Sequence, residues 1–241
     1  MARRSKSCCV PSPLPRTPRS SQNPRIARSI VIFLAAAVAC AGAAAAAPAA
    51  HRQQPLQHVT IFGDSVAAAL DWDSTAREVL EHGDRLTLDL APCRRLWTAG
   101  CLSPPPPSVL EDVRKLGRRL GPTVVVLVGY NDDPVIFREG LGVTLNAMRR
   151  DGVRQVLWLT LRAVYPQYVA TNAAIKAAAR RRSWVRAINW NGYSRDHPTW
   201  FASDGIHLSA EGAVQFAIFV HRTLKKYGLT GPPPAGQVGS R

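Results

Sequence analysis

Residues 123–132 read Thr-Val-Val-Val-Leu-Val-Gly-Tyr-Asn-Asp, and the fold class follows from this stretch. Its first six residues form a continuous apolar, largely β-branched run, which is typical of a strand that is covered on both faces. The run ends at Gly129, where the residue types become those of a loop. A strand of this kind predicts a parallel sheet between two layers of helices.

Similar apolar runs recur on both sides of this stretch and alternate with amphipathic segments. This alternation predicts a single αβα domain over residues 51–230, with a mainly parallel sheet of five strands and helices on both of its faces. Strands are predicted at 58–62, 85–90, 123–128, 153–161 and 185–190, and helices at 66–81, 109–120, 134–150, 168–182 and 209–227.

The first fifty residues have a composition of their own. They contain seven basic residues, no acidic residue and an uncharged, alanine-rich run from Ser29 to Ala50. These features predict that residues 1–50 are a signal peptide with a basic N-terminal extension, removed near Ala47 or Ala50, and that the protein is secreted. An uncleaved membrane anchor and a lipoprotein signal at Cys40 remain alternatives. Residues 231–241 are predicted to be a disordered tail.

Removal of residues 1–50 changes the interpretation of the charge. The whole chain has a formal charge of +15, whereas residues 51–241 contain 24 basic and 16 acidic residues, a charge of +8. No base-stacking or groove-reading motif accompanies this charge, so no nucleic-acid partner is expected. The charge is compatible with weak contact with an anionic membrane or wall surface.

Two of the five cysteines, Cys93 and Cys101, remain after residues 1–50 are removed. In an exported protein an even pair of this kind predicts a disulfide, with two free thiols as the alternative. No further ligands lie at a suitable spacing from this pair, so neither a metal site nor a cofactor is expected.

Three predicted strand ends carry residues that are suited to chemistry, and in such sheets ligands bind at the carboxyl ends of the strands. Ser65 ends the sequence Gly-Asp-Ser and is placed to act as a nucleophile. The amide of Asn131 can donate a hydrogen bond to a developing oxyanion. Asp204 can orient His207 as a base. Each motif alone is also ordinary turn or cap chemistry, but together they supply the parts that acyl transfer requires.

The three motifs resemble those of the SGNH, or GDSL-type, hydrolase superfamily, over about residues 58–228. Residues 63–65 resemble its nucleophile block, residues 129–132 its oxyanion block and residues 204–207 its C-terminal block. The resemblance implies a flavodoxin-like three-layer αβα fold and metal-free ester hydrolysis. In that reaction Ser65 is the nucleophile, His207 the general base and acid, and Asp204 its partner. Asn131 and the backbone N–H of Ser65 are the implied oxyanion donors.

The family's second block departs from the pattern. It normally supplies a glycine N–H to the oxyanion, but residues 91–95 read Ala-Pro-Cys-Arg-Arg. Arg94 falls nearest to the expected position, and its backbone N–H is assigned to this role. We also expect that a Cys93–Cys101 bridge fixes the loop in place of the missing glycine.

The sequence therefore predicts a secreted, monomeric serine ester hydrolase, an esterase or lipase that cleaves carboxylic esters through an acyl-enzyme. The expected substrates are short-chain esters of lipid, glycan or small-molecule alcohols. Two alternatives remain open. One is an acyltransferase or deacetylase that acts on cell-wall or glycan esters, and the other is a catalytically silent binding protein on the same fold.

Overall fold

The computed structural model describes residues 57–81 and 85–230, so the predictions for residues 1–50 and 231–241 lie outside the described residues. Five parallel strands form one sheet in the order β2-β1-β3-β4-β5. They are β1 His58–Gly63, β2 Arg85–Leu90, β3 Thr123–Leu127, β4 Gln155–Leu159 and β5 Val185–Ile188. The prediction of a five-stranded parallel sheet is confirmed.

Helices pack on both faces of this sheet, as the three-layer αβα prediction requires. They are α1 Ala69–Trp72, α2 Ser74–Glu81, α3 Val109–Leu116, α4 Pro134–Arg150, α5 Pro166–Arg181, α6 Trp190–Ser194 and α7 Ala210–Lys226. Within the described ranges, none of these helices is long and apolar enough to span a membrane.

The sheet divides the apolar interior into two cores. Successive residues of a strand point to opposite faces, so Val125 belongs to one core and Val126 to the other. The first core contains buried residues of α2 and α7, such as Leu80 and Phe216. The second contains buried residues of α3, α4 and α5. Both faces of β3 are therefore covered, which explains its unbroken apolar sequence.

Two predicted helices are shorter than the sequence pattern indicates. The helix expected over 66–81 is interrupted at Asp73, which has an extended backbone and whose Oδ1 accepts a hydrogen bond from the N–H of Ala76 at 2.8 Å. Asp73 thus begins a new helix. The helix expected over 109–120 ends at Leu116, because Gly117 has a φ of 52° and the chain continues as a 3-10 turn.

Buried carboxylates connect the carboxyl ends of three strands. After β1, the carboxylate of Asp64 is fully buried and accepts hydrogen bonds from the N–H groups of Val66 at 3.1 Å and Tyr130 at 3.4 Å. After β3, the buried carboxylate of Asp132 accepts a hydrogen bond from the N–H of Leu96 at 3.1 Å. The segments that follow β1, β3 and β2 are therefore held to one another.

A buried arginine fixes the connection between β2 and α3. The Arg94 guanidinium is paired with Asp89 and Asp112, each at 2.7 Å. It also donates to the backbone carbonyls of Asp89 at 2.6 Å and Pro107 at 3.1 Å. The Arg94 side chain is only 3% exposed, so this cluster is shielded from solvent.

We expect the Arg94→Met substitution to lower the free energy of unfolding by about 3–5 kcal/mol, because it leaves two neighbouring carboxylates without their cation. Urea denaturation measures this change. The control is Arg77→Met, which removes only exposed ion pairs with Asp71 and Glu81 and is expected to cost at most about 1 kcal/mol. Equal effects of the two substitutions would show that the cluster does not stabilise the fold.

Stability is also expected to depend on the protonation of Asp64. Burial raises the pKa of this carboxyl from 3.8 to about 7, although hydrogen bonds from the N–H groups of Val66 and Tyr130 oppose the rise. The folded state therefore binds this proton more tightly than the unfolded state does. The contribution of Asp64 to stability falls as pH rises from about 4 to about 7, by up to about 4 kcal/mol, and is level above that range.

The Asp64→Asn substitution should remove this part of the pH dependence, since an amide does not titrate in the range. Urea denaturation of both proteins between pH 4 and 8 compares the slopes rather than the absolute stabilities, because the amide also changes the hydrogen bonds. The exposed Asp196→Asn variant serves as the control and should keep the slope of the unmodified protein. The same slope in the Asp64→Asn variant would count against the role of Asp64.

Candidate active site

The structure brings Ser65, His207 and Asp204 into one hydrogen-bonded row at the carboxyl edge of the sheet. His207 Nε2 lies 2.9 Å from Ser65 Oγ, and His207 Nδ1 lies 2.6 Å from Asp204 Oδ2. With Nδ1–H donating to the carboxylate, Nε2 is left to accept the serine hydroxyl proton. The side chains of His207 and Asp204 are 51% and 43% exposed, so the row is open to solvent and to a ligand.

Ser65 lies in a tight turn between β1 and α1. The turn is closed by a hydrogen bond from the N–H of Ala68 to the Asp64 carbonyl at 3.0 Å. A side chain at position 63 would overlap the Cβ of Ala67, so the turn requires glycine at this position. Each residue of the Gly-Asp-Ser sequence has a role in this turn. Gly63 leaves room for Ala67, the buried Asp64 carboxylate accepts a hydrogen bond from the N–H of Val66, and the Ser65 side chain stays partly exposed.

The loop before α7 holds the carboxylate of Asp204 in place. Its Oδ1 accepts hydrogen bonds from the N–H groups of Ile206 at 2.8 Å and His207 at 3.0 Å, while its Oδ2 faces the imidazole. Partial burial opposes ionisation, but the hydrogen bonds from the His207 ring and the two N–H groups hold the pKa of Asp204 below its usual range. Asp204 is therefore charged at neutral pH.

Asn131 follows β3 and is held by the loop that follows β2. Its Nδ2 donates a hydrogen bond to the backbone carbonyl of Arg94 at 3.2 Å, and its backbone carbonyl accepts one from Arg95 Nε at 2.9 Å. A primary amide has two N–H groups, so one of them is left to bind a ligand oxygen. The predicted Cys93–Cys101 disulfide is present, and Cys101 Sγ lies 3.8 Å from Asn131 Oδ1.

The backbone N–H of Arg94, which the sequence assigns to the oxyanion, donates to the Ala91 carbonyl at 3.3 Å. The neighbouring Cys93 adopts a φ of 63°, in the left-handed region that favours glycine. Within the described part of the chain, the N–H groups of Cys93 and Ser65 have no hydrogen-bond acceptor. Cys93, and not Arg94, therefore has the glycine-like backbone conformation in this loop.

Arg162 connects the β4 exit to the loop that carries Asp204 and His207, and the sequence pattern does not single it out. Its Nη1 donates to the Gly205 carbonyl at 2.6 Å, and its guanidinium carbon lies 4.0 Å from the centre of the Phe201 ring. Its backbone N–H donates to Tyr130 Oη at 2.7 Å. The only sequence signal for Arg162 is its position directly after a buried apolar run.

No protein-family model matches the sequence. The O-acetyltransferase OatA of Staphylococcus aureus (strain NCTC 8325 / PS 47) is 28% identical over 120 residues, which cover 50% of this chain and 18% of that protein. The chain spans about a fifth of the length of the curated relatives that it matches.

Solved structures share the fold at low sequence identity. The C-terminal catalytic domain of peptidoglycan O-acetyltransferase A from Streptococcus pneumoniae has a TM-score of 0.52 and 15% identity, with 74% of this chain and 97% of that chain covered. TesA has a TM-score of 0.51 and 18% identity, with 70% and 99% covered. The three-layer αβα fold that the resemblance to SGNH hydrolases implies is thereby confirmed.

Proposed function

We propose that this chain is a serine ester hydrolase that cleaves carboxylic esters through an acyl-enzyme. The observation that carries the proposal is the row of hydrogen bonds from Ser65 Oγ to His207 Nε2 and from His207 Nδ1 to Asp204 Oδ2. These three groups supply a nucleophile, a base within hydrogen-bond distance of it and a carboxylate that orients the base. Because the row is exposed to solvent, an ester substrate can reach Ser65 Oγ from the protein surface.

In the proposed reaction, Ser65 Oγ attacks the ester carbonyl carbon while its proton passes to His207 Nε2. The resulting tetrahedral oxyanion collapses, the bond to the alcohol oxygen breaks, and the alcohol leaves with the proton from His207. Water then attacks the acyl-serine with His207 as base. The second collapse releases the carboxylic acid and restores the serine hydroxyl. Asp204 stays ionised and stabilises the imidazolium in both halves.

The oxyanion is proposed to bind at the segments that follow β1, β2 and β3. Asn131 offers its second amide N–H, because the first is held by the Arg94 carbonyl. The backbone N–H groups of Ser65 and Cys93, which have no acceptor among residues 57–81 and 85–230, are the further candidate donors. Donors fixed in this way stabilise the charge of the transition state and need no rearrangement when it forms. In this proposal Arg94 does not donate its backbone N–H to the oxyanion; instead, its buried side chain fixes the loop that follows β2.

Acyl transfer is the second candidate function, and the names of the curated relatives favour it. They are O-acetyltransferases at 27–28% identity over about half of this chain. Transfer needs the same acyl-serine, which is resolved by a sugar or wall-polymer hydroxyl in place of water. The compartment proposed for either reaction is outside the cytoplasm, because residues 1–50 resemble an export signal and the disulfide suits an oxidising environment.

Replacement of the proposed nucleophile tests the reaction directly. With p-nitrophenyl acetate as substrate, the Ser65→Ala substitution should lower kcat/KM by about 10³-fold or more, because no acyl-enzyme can form. The control is Ser183→Ala. Ser183 is an exposed serine on the connection between α5 and β5, and its replacement should leave the activity unchanged. Equal activity of the Ser65→Ala and unmodified proteins would exclude the serine mechanism. No activity in the unmodified, folded protein across an ester panel would favour a silent binding protein.

An acceptor experiment separates hydrolysis from transfer. The protein is supplied with p-nitrophenyl acetate, with and without an oligosaccharide of N-acetylglucosamine, and both nitrophenol and acetylated sugar are measured. A hydrolase should release nitrophenol at the same rate in both reactions and form acetate. Acetylated sugar that forms in proportion to the nitrophenol, and that is absent with Ser65→Ala, would instead identify transfer as the main activity.

A further inference from the structure

A cavity away from the candidate active site lies beside the edge strand β5. It has a volume of about 420 Å³, within the range of small-molecule sites. It is lined by β5 and by residues of α6 and the C-terminal half of α7. None of the lining residues belongs to the row formed by Ser65, His207 and Asp204, so the proposed ester chemistry leaves this cavity without a role.

Half-buried aromatic rings form one part of its wall. Tyr193, Phe219 and Tyr227 line it, and the rings of Tyr193 and Phe219 have centroids 4.7 Å apart with an interplanar angle of 36°. Tyrosine combines an apolar ring face with a hydroxyl that seeks a hydrogen-bond partner. Asn189 also lines the cavity; its Oδ1 accepts a hydrogen bond from the N–H of Gly192, and among the described residues its amide N–H groups have no acceptor.

Two cations form another part of the wall. Arg222 and Lys226 are exposed, lie four residues apart on α7 and therefore occupy the same face of the helix. Like charges at this spacing repel each other. Among the described residues, no acidic side chain lines the cavity and neither cation forms an ion pair. An anionic ligand would relieve the repulsion.

We propose that this cavity binds an acidic saccharide, a sugar unit or oligomer that carries a carboxylate. The C–H faces of the sugar ring would pack against Tyr193 and Phe219, and its hydroxyls would meet the Asn189 amide and the tyrosine hydroxyls. The carboxylate would pair with Arg222 and Lys226; the planar guanidinium can hold both carboxylate oxygens. A fatty acid would use the cations and the apolar wall, but it has no hydroxyls with which to form hydrogen bonds to the Asn189 amide or the tyrosine hydroxyls.

Binding of trigalacturonic acid to the full chain tests the proposal by isothermal titration calorimetry at low salt. Arg222→Met and Lys226→Met should each weaken binding by about tenfold, since each removes a charge-assisted hydrogen bond. Tyr193→Ala should weaken binding to a similar degree. The matched control is Arg180→Met, an exposed cation on α5, which should bind like the unmodified protein.

Two further ligands test the chemical class. Maltotriose has similar size and hydroxyls without a carboxylate, and decanoate has the carboxylate without the sugar. Equal binding of maltotriose would overturn the role of the cations, and tighter binding of decanoate would overturn the saccharide assignment. Absence of trigalacturonate binding at millimolar concentration would also overturn it.

The proposal does not depend on the ester reaction. Ser65→Ala should therefore bind trigalacturonate unchanged, and the activity of each cavity variant on p-nitrophenyl acetate should match that of the unmodified protein if its fold is intact. An unmodified protein that hydrolyses p-nitrophenyl acetate but does not bind trigalacturonate would contradict the saccharide proposal alone. One that binds trigalacturonate but hydrolyses no ester would contradict the Ser65 mechanism alone.

Discussion

The carboxylate of Asp64 sets the geometry on which the site depends. It is fully buried between β1 and β3 and accepts hydrogen bonds from an N–H on each side, at Val66 and at Tyr130. Burial of such a group is costly unless hydrogen bonds satisfy it, so the two segments cannot separate without a penalty. Ser65 and Asn131 lie directly beside these two donors along the chain. Ser65, the proposed nucleophile, and Asn131 are therefore held relative to each other by the single residue Asp64.

The strand order explains why polar groups from distant parts of the sequence meet here. β1 lies between β2 and β3, so the connections that leave these strands pass to different faces of the sheet, and ligands of such sheets bind at the carboxyl edge where the connections diverge. Ser65, Asn131 and the disulfide loop all lie at this edge. The loop before α7 brings His207 to it from 142 residues away in the sequence.

Much of this arrangement could be predicted because it depends on local patterns. The apolar runs of the central strands reflect burial on both faces, and Ser65 and Asn131 follow β1 and β3 as predicted. The expectation that Asp204 and His207 also lie at a strand end is wrong, because β5 ends at Ile188 and both residues lie in the loop before α7. The missed features depend on pairings between distant residues. The partner of Arg94 at Asp112 lies 18 residues away, and Arg162 reaches Gly205 across 43 residues. The break at Asp73 was missed for another reason, since an Asp inside an amphipathic segment can either continue a helix or cap a new one.

The loop between Cys93 and Cys101 has a consequence for how the protein is made. Its Arg94 carbonyl accepts a hydrogen bond from the Asn131 amide, and its Cys101 sulfur lies against the same side chain. The amide is therefore positioned by a loop whose ends are joined only after oxidation of two thiols. In a preparation whose two thiols are reduced, this loop lacks its covalent closure, and the Asn131 amide loses part of its support. The thiol content of a preparation should therefore be measured before any specific activity is quoted.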